Sequence, residues 1–276
     1  MKGTLYKMRT ESLTPVRYQL SISDDHIHLN DLLGRHLHLS HTGSIFCIQC
    51  GRQTKKSFQQ GYCFPCYRRL TECNLCMIHP ERCRHDETLC KPDDWVHASC
   101  MLPHVVYLAN SSGLKVGITR QSQVPTRWMD QGAVQAIPIF STQNRFQAGT
   151  LEVAFKKFVA DKTNWRTMLS QQVPKIDLIA ERERLLQLAA AAIEKVLSQF
   201  PEGEIQLLNS EPVHDFHYPV IEYPQKIRTF NLDNTSTVSG HLVGIKGQYL
   251  ILDQGVINIR KYGGYEITFH EGCSGH

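Results

Sequence analysis

Four cysteines in two pairs carry the clearest chemistry in this sequence: Cys47-x2-Cys50 and, twelve residues further on, Cys63-x2-Cys66. Each pair offers two thiolates, and two such knuckles facing each other complete the closed tetrahedral sulfur site that structural zinc prefers. The spacing predicts one zinc on Cys47, Cys50, Cys63 and Cys66. The rival readings are unrelated free thiols, or a redox CxxC, which would need one pair in a thioredoxin-like βαβ context.

More sulfur follows in a less regular order. Cys73-x2-Cys76, Cys83, Cys90 and Cys100 are accompanied by His79, His85, His97 and His104. Four ligands are required and more are offered, so the set stays open. A second zinc drawn from Cys73, Cys76, Cys83, Cys90, Cys100 and His104 is the first reading, and an iron–sulfur cluster is the alternative.

Between and just after the first knuckles lie Arg52, Lys55, Lys56, Arg68 and Arg69, together with Phe58, Tyr62, Phe64 and Tyr67, and no acid. Cations for phosphates and flat rings for bases are what single-stranded nucleic acid requires. We read Arg52, Lys55, Lys56, Phe58, Tyr62, Arg68 and Arg69 as a nucleic-acid surface, DNA or RNA. The competing reading is a solvated loop whose aromatics cover the metal.

Composition frames these motifs. The chain has 276 residues, 41% of them hydrophobic, with a formal net charge of +4. That is enough to bury a core split over two or three domains, and the mild basicity permits nucleic-acid binding without requiring it. No secretory signal is visible, and no apolar run approaches the roughly 20 residues of a membrane helix. Of ten cysteines, nine fall between Cys47 and Cys100. In a reducing compartment such clustering indicates metal ligands rather than disulfides, so a cytoplasmic protein is expected.

The elements that must position these groups fall into four stretches. Residues 1–46 read as short strands, with Tyr18–Ile22 and the alternating His36–His41 ahead of a turn at Thr42-Gly43-Ser44. Residues 47–104 have too few aliphatic side chains to pack a core, and metal must hold them. In 105–200, strands at Val105–Ala109 and Leu114–Thr119 form a hairpin closed by a three-residue loop ending in Gly113. A helix is expected over Thr126–Asp130, and a strand over Ala133–Phe140 that Pro138 assigns to a sheet edge. A helix then opens at Thr150 and runs to about Ala160, with Leu151, Phe155 and Phe158 on one stripe, and a long helix spans Ile176–Phe200. Residues 201–276 return to glycine-punctuated strands, a small β module that the N-terminal strands could join.

Val106-Tyr-Leu108, Lys115-Val-Gly-Ile-Thr119, Arg127 and Glu152 resemble the GIY-YIG nuclease superfamily over about residues 105–160. Over most of its length, in the CxxC knuckles, VYLANSSGLKVGITR, TRWMDQGA and the glycine-rich tail, the chain is similar to the domain of unknown function 2797 family. The superfamily resemblance implies a catalytic set of Tyr107, Lys115, Arg127 and Glu152, with magnesium at Glu152. Lys115 stands where the superfamily has a second tyrosine, and Arg120 is a rival for the arginine role. Plainer readings are a strand aromatic for Tyr107 and a carboxylate favoured by the helix dipole for Glu152.

The expected architecture is α+β: zinc knuckles, then a GIY-YIG-like αβ domain, then a Gly-rich β module. The expected function is nucleic-acid binding with magnesium-dependent phosphodiester hydrolysis. A non-catalytic RNA- or ribosome-associated factor and an iron–sulfur redox protein are the alternatives.

Overall fold

A computed structural model describes residues 1–83 and 94–272. The chain starts with β1 (Lys2–Thr4), β2 (Arg9–Glu11), β3 (Arg17–Ile22) and β4 (Asp25–His28), of which β2, β3 and β4 form a three-stranded antiparallel sheet. Strand β5 (His36–Phe46) follows, burying Leu37, Leu39 and Ile45 on one side. It does not turn at Thr42-Gly43-Ser44. The three residues bulge instead, with Gly43 at φ +91°, opposite Glu266, whose carboxylate accepts a hydrogen bond from Thr42 Oγ1 at 2.7 Å. A strand can absorb extra residues this way without losing its partner.

The cysteine-rich stretch contains β6 (Gln53–Thr54), α1 (Phe64–Arg69), three single 3₁₀ turns (Thr71–Cys73, Leu75–Met77, Pro80–Arg82) and α2 (Asp94–Ser99). Next come β7 (His104–Asn110) and β8 (Leu114–Arg120), paired in the register that a three-residue loop dictates, Asn110 opposite Leu114 and Ala109 opposite Lys115. Helix α3 (Thr126–Asp130) lies where the sequence places it.

Strand β9 (Gln135–Thr142) pairs with β7 and is not an edge. On its other side β10 (Ile205–Leu207) covers residues 140–142 and β11 (His214–Asp215) covers 135–136. Pro138 falls in the gap between these two short partners, where its missing N–H costs no ladder bond.

Helix α4 (Arg145–Phe155) starts earlier than expected, because Asn144 caps it by accepting from the Gln147 amide at 3.0 Å. Gln147 reaches back to the Gln143 amide at 2.9 Å, a variant of the capping box. The helix stops at Phe155, so Leu151 and Phe155 are buried while Phe158 lies beyond it, exposed. Short α5 (Trp165–Ser170) precedes α6 (Leu178–Leu188) and α7 (Ala190–Leu197), which share the expected long helix with a break at Ala189.

The last strands, β12 (Thr237–Lys246), β13 (Tyr249–Leu252), β14 (Gly255–Asn258) and β15 (Tyr265–Glu271), build a sheet ordered β1-β15-β5-β12-β13-β14, with β6 also on β5. N-terminal and C-terminal strands thus interleave. Strand β7 is buried along its whole length. Val106 and Leu108 pack against the α4, α6 and α7 side, whereas Val105, Tyr107 and Ala109 share a core with the β-rich part and with Trp128 of α3. Asp130, at the end of α3, fastens that junction by accepting from Lys7 Nζ at 3.0 Å and Gln248 Nε2 at 2.9 Å.

Candidate functional site

The sulfur ligand atoms of Cys47, Cys50, Cys63 and Cys66 all lie within 4.8 Å of one another. Two short structures bring them together. Cys47 directly follows β5, and its carbonyl accepts from the amide of Gly51, which takes φ +69° to fold the first knuckle back. Cys63 precedes α1 and Cys66 lies within it. The module has almost no other core: among the described residues, these buried sulfurs pack only against Tyr62 and Leu70. Burial pushes the Cys47 thiol up, but hydrogen bonds from the backbone of Cys63, Cys50 and Gln49 outweigh it and bring Cys47 down to about 6. Several thiolates this close repel one another unless a cation sits among them, so the donor set fits a metal ion such as zinc.

The cations beside this cluster, Arg52, Lys55, Lys56, Arg68 and Arg69, are all exposed. Phe58 stacks on Tyr67 (ring centroids 5.5 Å, 18°) and tilts against Phe64 at 5.4 Å. Lys56 lies over the Phe58 ring and Arg68 over the Phe64 ring. Phe64 is 51% exposed, so the stack faces solvent, whereas Tyr62 turns inward to cover the cysteines.

A second feature opens beside the module. A cavity of about 620 Å³ is lined by Tyr107, Lys115, Arg127 and Glu152 together with Gln59, Gln60 and Tyr62 of the cysteine-rich stretch. Residues far apart in sequence are therefore gathered by the β7–β8 hairpin, α3 and α4. Alternation along the two strands puts Tyr107 and Lys115 on one face. Both donate to the same atom, Gln131 Oε1, at 2.9 Å from Tyr107 Oη and 2.5 Å from Lys115 Nζ. Gln131 was not legible as a site residue: it closes α3 just before Gly132, a position where a polar residue is ordinary.

Gly117 has a direct role in this arrangement. It lies opposite Tyr107, and a Cβ there would come within 2.7 Å of the phenol oxygen and 2.8 Å of the ring carbon bearing it. Gly117→Ala should displace Tyr107 from Gln131 and destabilise the protein by about 1–3 kcal/mol, the usual cost of overpacking. Urea unfolding with an unchanged midpoint would refute this.

Glu152 lies well inside α4, not in its first turn, so the helix dipole does not account for its placement. Its Oε2 is 3.1 Å from Lys156 Nζ, which is also 3.3 Å from Asp161 Oδ2. Burial raises the Glu152 carboxyl and the lysine opposes that shift. Lys115 is pushed down to about 7 by burial and by the charge of Arg127, against the pull of Glu152 and Asp161. Arg120, the rival arginine, lines the same cavity and donates to the Ala98 carbonyl at 3.2 Å.

The second cysteine group is divided. Cys73 is buried on the side of the first cluster, where the charge of Cys47 reaches it. Cys76, Cys83 and Cys100 line a different, small cavity. Cys90 lies outside the described residues. His104, fully buried at the start of β7, turns Nδ1 to the Leu102 carbonyl at 2.7 Å, and burial pushes it down to about 4.

Fold and site thus define a mixed α+β protein with several antiparallel sheets and a four-cysteine cluster suited to a metal ion. The chain belongs to the family described as Protein of unknown function (DUF2797), whose model matches residues 34–267. No curated protein and no solved structure matches the chain. Among the described residues, no helix is long and apolar enough to cross a membrane.

Proposed function

We propose that the protein binds nucleic acid and hydrolyses phosphodiester bonds in the cavity between the β7–β8 hairpin and the cysteine module, with zinc on Cys47, Cys50, Cys63 and Cys66 as a structural ion. The observation that carries this reading is the convergence of Tyr107, Lys115, Arg127 and Glu152 on one cavity. Lys115 and Arg127 supply positive charge for a phosphate, and Tyr107 a phenol held by Gln131. Glu152 and Asp161 offer carboxylates to magnesium, which would polarise the phosphate and lower the pKa of a bound water. Lys156 now bridges those two carboxylates, so a cation is already favoured there. The Phe58–Phe64–Tyr67 stack, with Phe64 exposed, and its surrounding cations would guide a single strand.

The test is cleavage of end-labelled single- and double-stranded DNA and RNA, with and without magnesium. Glu152→Gln should abolish magnesium-dependent cleavage and leave binding nearly intact, since it removes a metal ligand without changing shape. A second reading, a non-catalytic RNA- or ribosome-associated factor, is favoured by Lys115 standing where the nuclease superfamily has tyrosine. In that case the wild type binds but never cleaves, and Glu152→Gln binds slightly more tightly because a negative charge is gone.

A further inference from the structure

Three cysteines outside the first cluster come together from separate segments. Cys76 lies in the 3₁₀ turn Leu75–Met77, Cys83 follows the turn Pro80–Arg82, and Cys100 follows α2. All three are half-buried and line one small cavity, with Pro80 and Arg145 beside them.

The segment that delivers them has little apolar support of its own. Leu75, Ile78, Met101 and Leu102 are exposed. Its buried side chains, among the described residues, are Cys73, Pro80 and Val96. Three successive single turns of 3₁₀ helix supply few backbone bonds and no amphipathic face. A stretch with so little regular structure gains much of its order from a cross-link. Positive charge is also at hand. The Arg145 guanidinium is anchored by donating to the Met77 carbonyl at 2.9 Å, and Arg145 lines the cavity beside the three cysteines.

We propose that Cys76, Cys83 and Cys100 hold a second zinc ion, each sulfur binding as a thiolate after releasing its proton to solvent, with one further donor completing the tetrahedron. Soft thiolates from short turns suit zinc over the harder divalent cations. The ion would also support the larger cavity. Pro80 and Arg145 line both cavities, and α4 rests on Pro80 through Gly149, where a Cβ would come within 2.5 Å of the proline ring. Zinc at Cys76, Cys83 and Cys100 therefore fixes the turn on which the helix carrying Glu152 sits. The metal assignment itself does not depend on what the larger cavity does.

The test is metal content per chain of the full-length protein, made without a polyhistidine tag. Two zinc ions are expected for the wild type. Cys76→Ser and Cys83→Ser should each retain one, and Cys73→Ser should retain both. One zinc in the wild type, two in Cys76→Ser, iron in place of the second zinc, or a disulfide among the three cysteines seen by mass would each overturn the proposal. Should the serine variants fail to fold, cobalt titration of the metal-stripped wild type decides. Thiolate-to-cobalt absorption should rise until two equivalents are bound, and saturation at one equivalent would overturn the second site.

Discussion

Cys63→Ser is expected to strip the metal from the first cluster and unfold residues 47–70 as a unit. The loss follows from how little else holds that module: three buried sulfurs, Tyr62 and Leu70 make up its core among the described residues. A structural zinc contributes on the order of 10 kcal/mol to folding, which so small a cluster cannot replace. The damage should not stay local. Gln60 accepts from Arg260 Nε at 2.6 Å, and Gln59, Gln60 and Tyr62 help line the 620 Å³ cavity. Metal content, together with limited proteolysis between residues 47 and 70, reads the outcome. A Cys63→Ser protein with full zinc and wild-type stability would remove the assignment.

The second large effect concerns Lys115, which is 3% exposed. Its ammonium is pushed down to about 7 in the folded protein, whereas an unfolded lysine titrates near 10.4. Between those values the unfolded chain binds more protons than the folded one, so stability rises with pH. The slope is at most about 1.4 kcal/mol per pH unit, and the penalty is fully present below pH 7. Lys115→Met should therefore be more stable than the wild type at pH 7. The difference should shrink as pH approaches 10, because the methionine variant lacks this titration. If Lys115 binds phosphate, the same variant loses cleavage, a gain in stability at the expense of function. Denaturant unfolding at pH 7, 8 and 9 tests this, and parallel stability curves for the two proteins would contradict it.

Local rules explain what could be read in advance. Hairpin register follows from loop length alone, so a loop of Ser111, Ser112 and Gly113 was enough to put Tyr107 and Lys115 on one face. The four-cysteine cluster was legible because knuckle spacing encodes ligand geometry. Features that depend on distant partners were not. Pro138 signals an edge unless β10 and β11, about 70 residues away, leave a gap for it. The apolar stripe points to a start of α4 at Thr150, whereas Asn144 and Gln147, whose capping pattern is present in the sequence, start the helix at Arg145. Gln131 owes its importance to two side chains that meet only after folding.

The interleaving of β5 between β12 and β15 sets an order of events during synthesis. Strand β5 runs directly into Cys47, yet the first of its two long neighbours, β12, starts at Thr237, roughly 170 residues after Cys66, and β15 starts later still, at Tyr265. At about 5–20 residues per second that is a wait of roughly 10–30 s. The four cysteines can meet their ion throughout that interval, because their spacing is local and needs no sheet. Short β6 can pair at once with the end of β5 beside Cys47, but the long edges of that strand wait until nearly the whole chain has been made. Metal capture would then come before sheet closure, and the loaded knuckles would be what the late strands assemble beside.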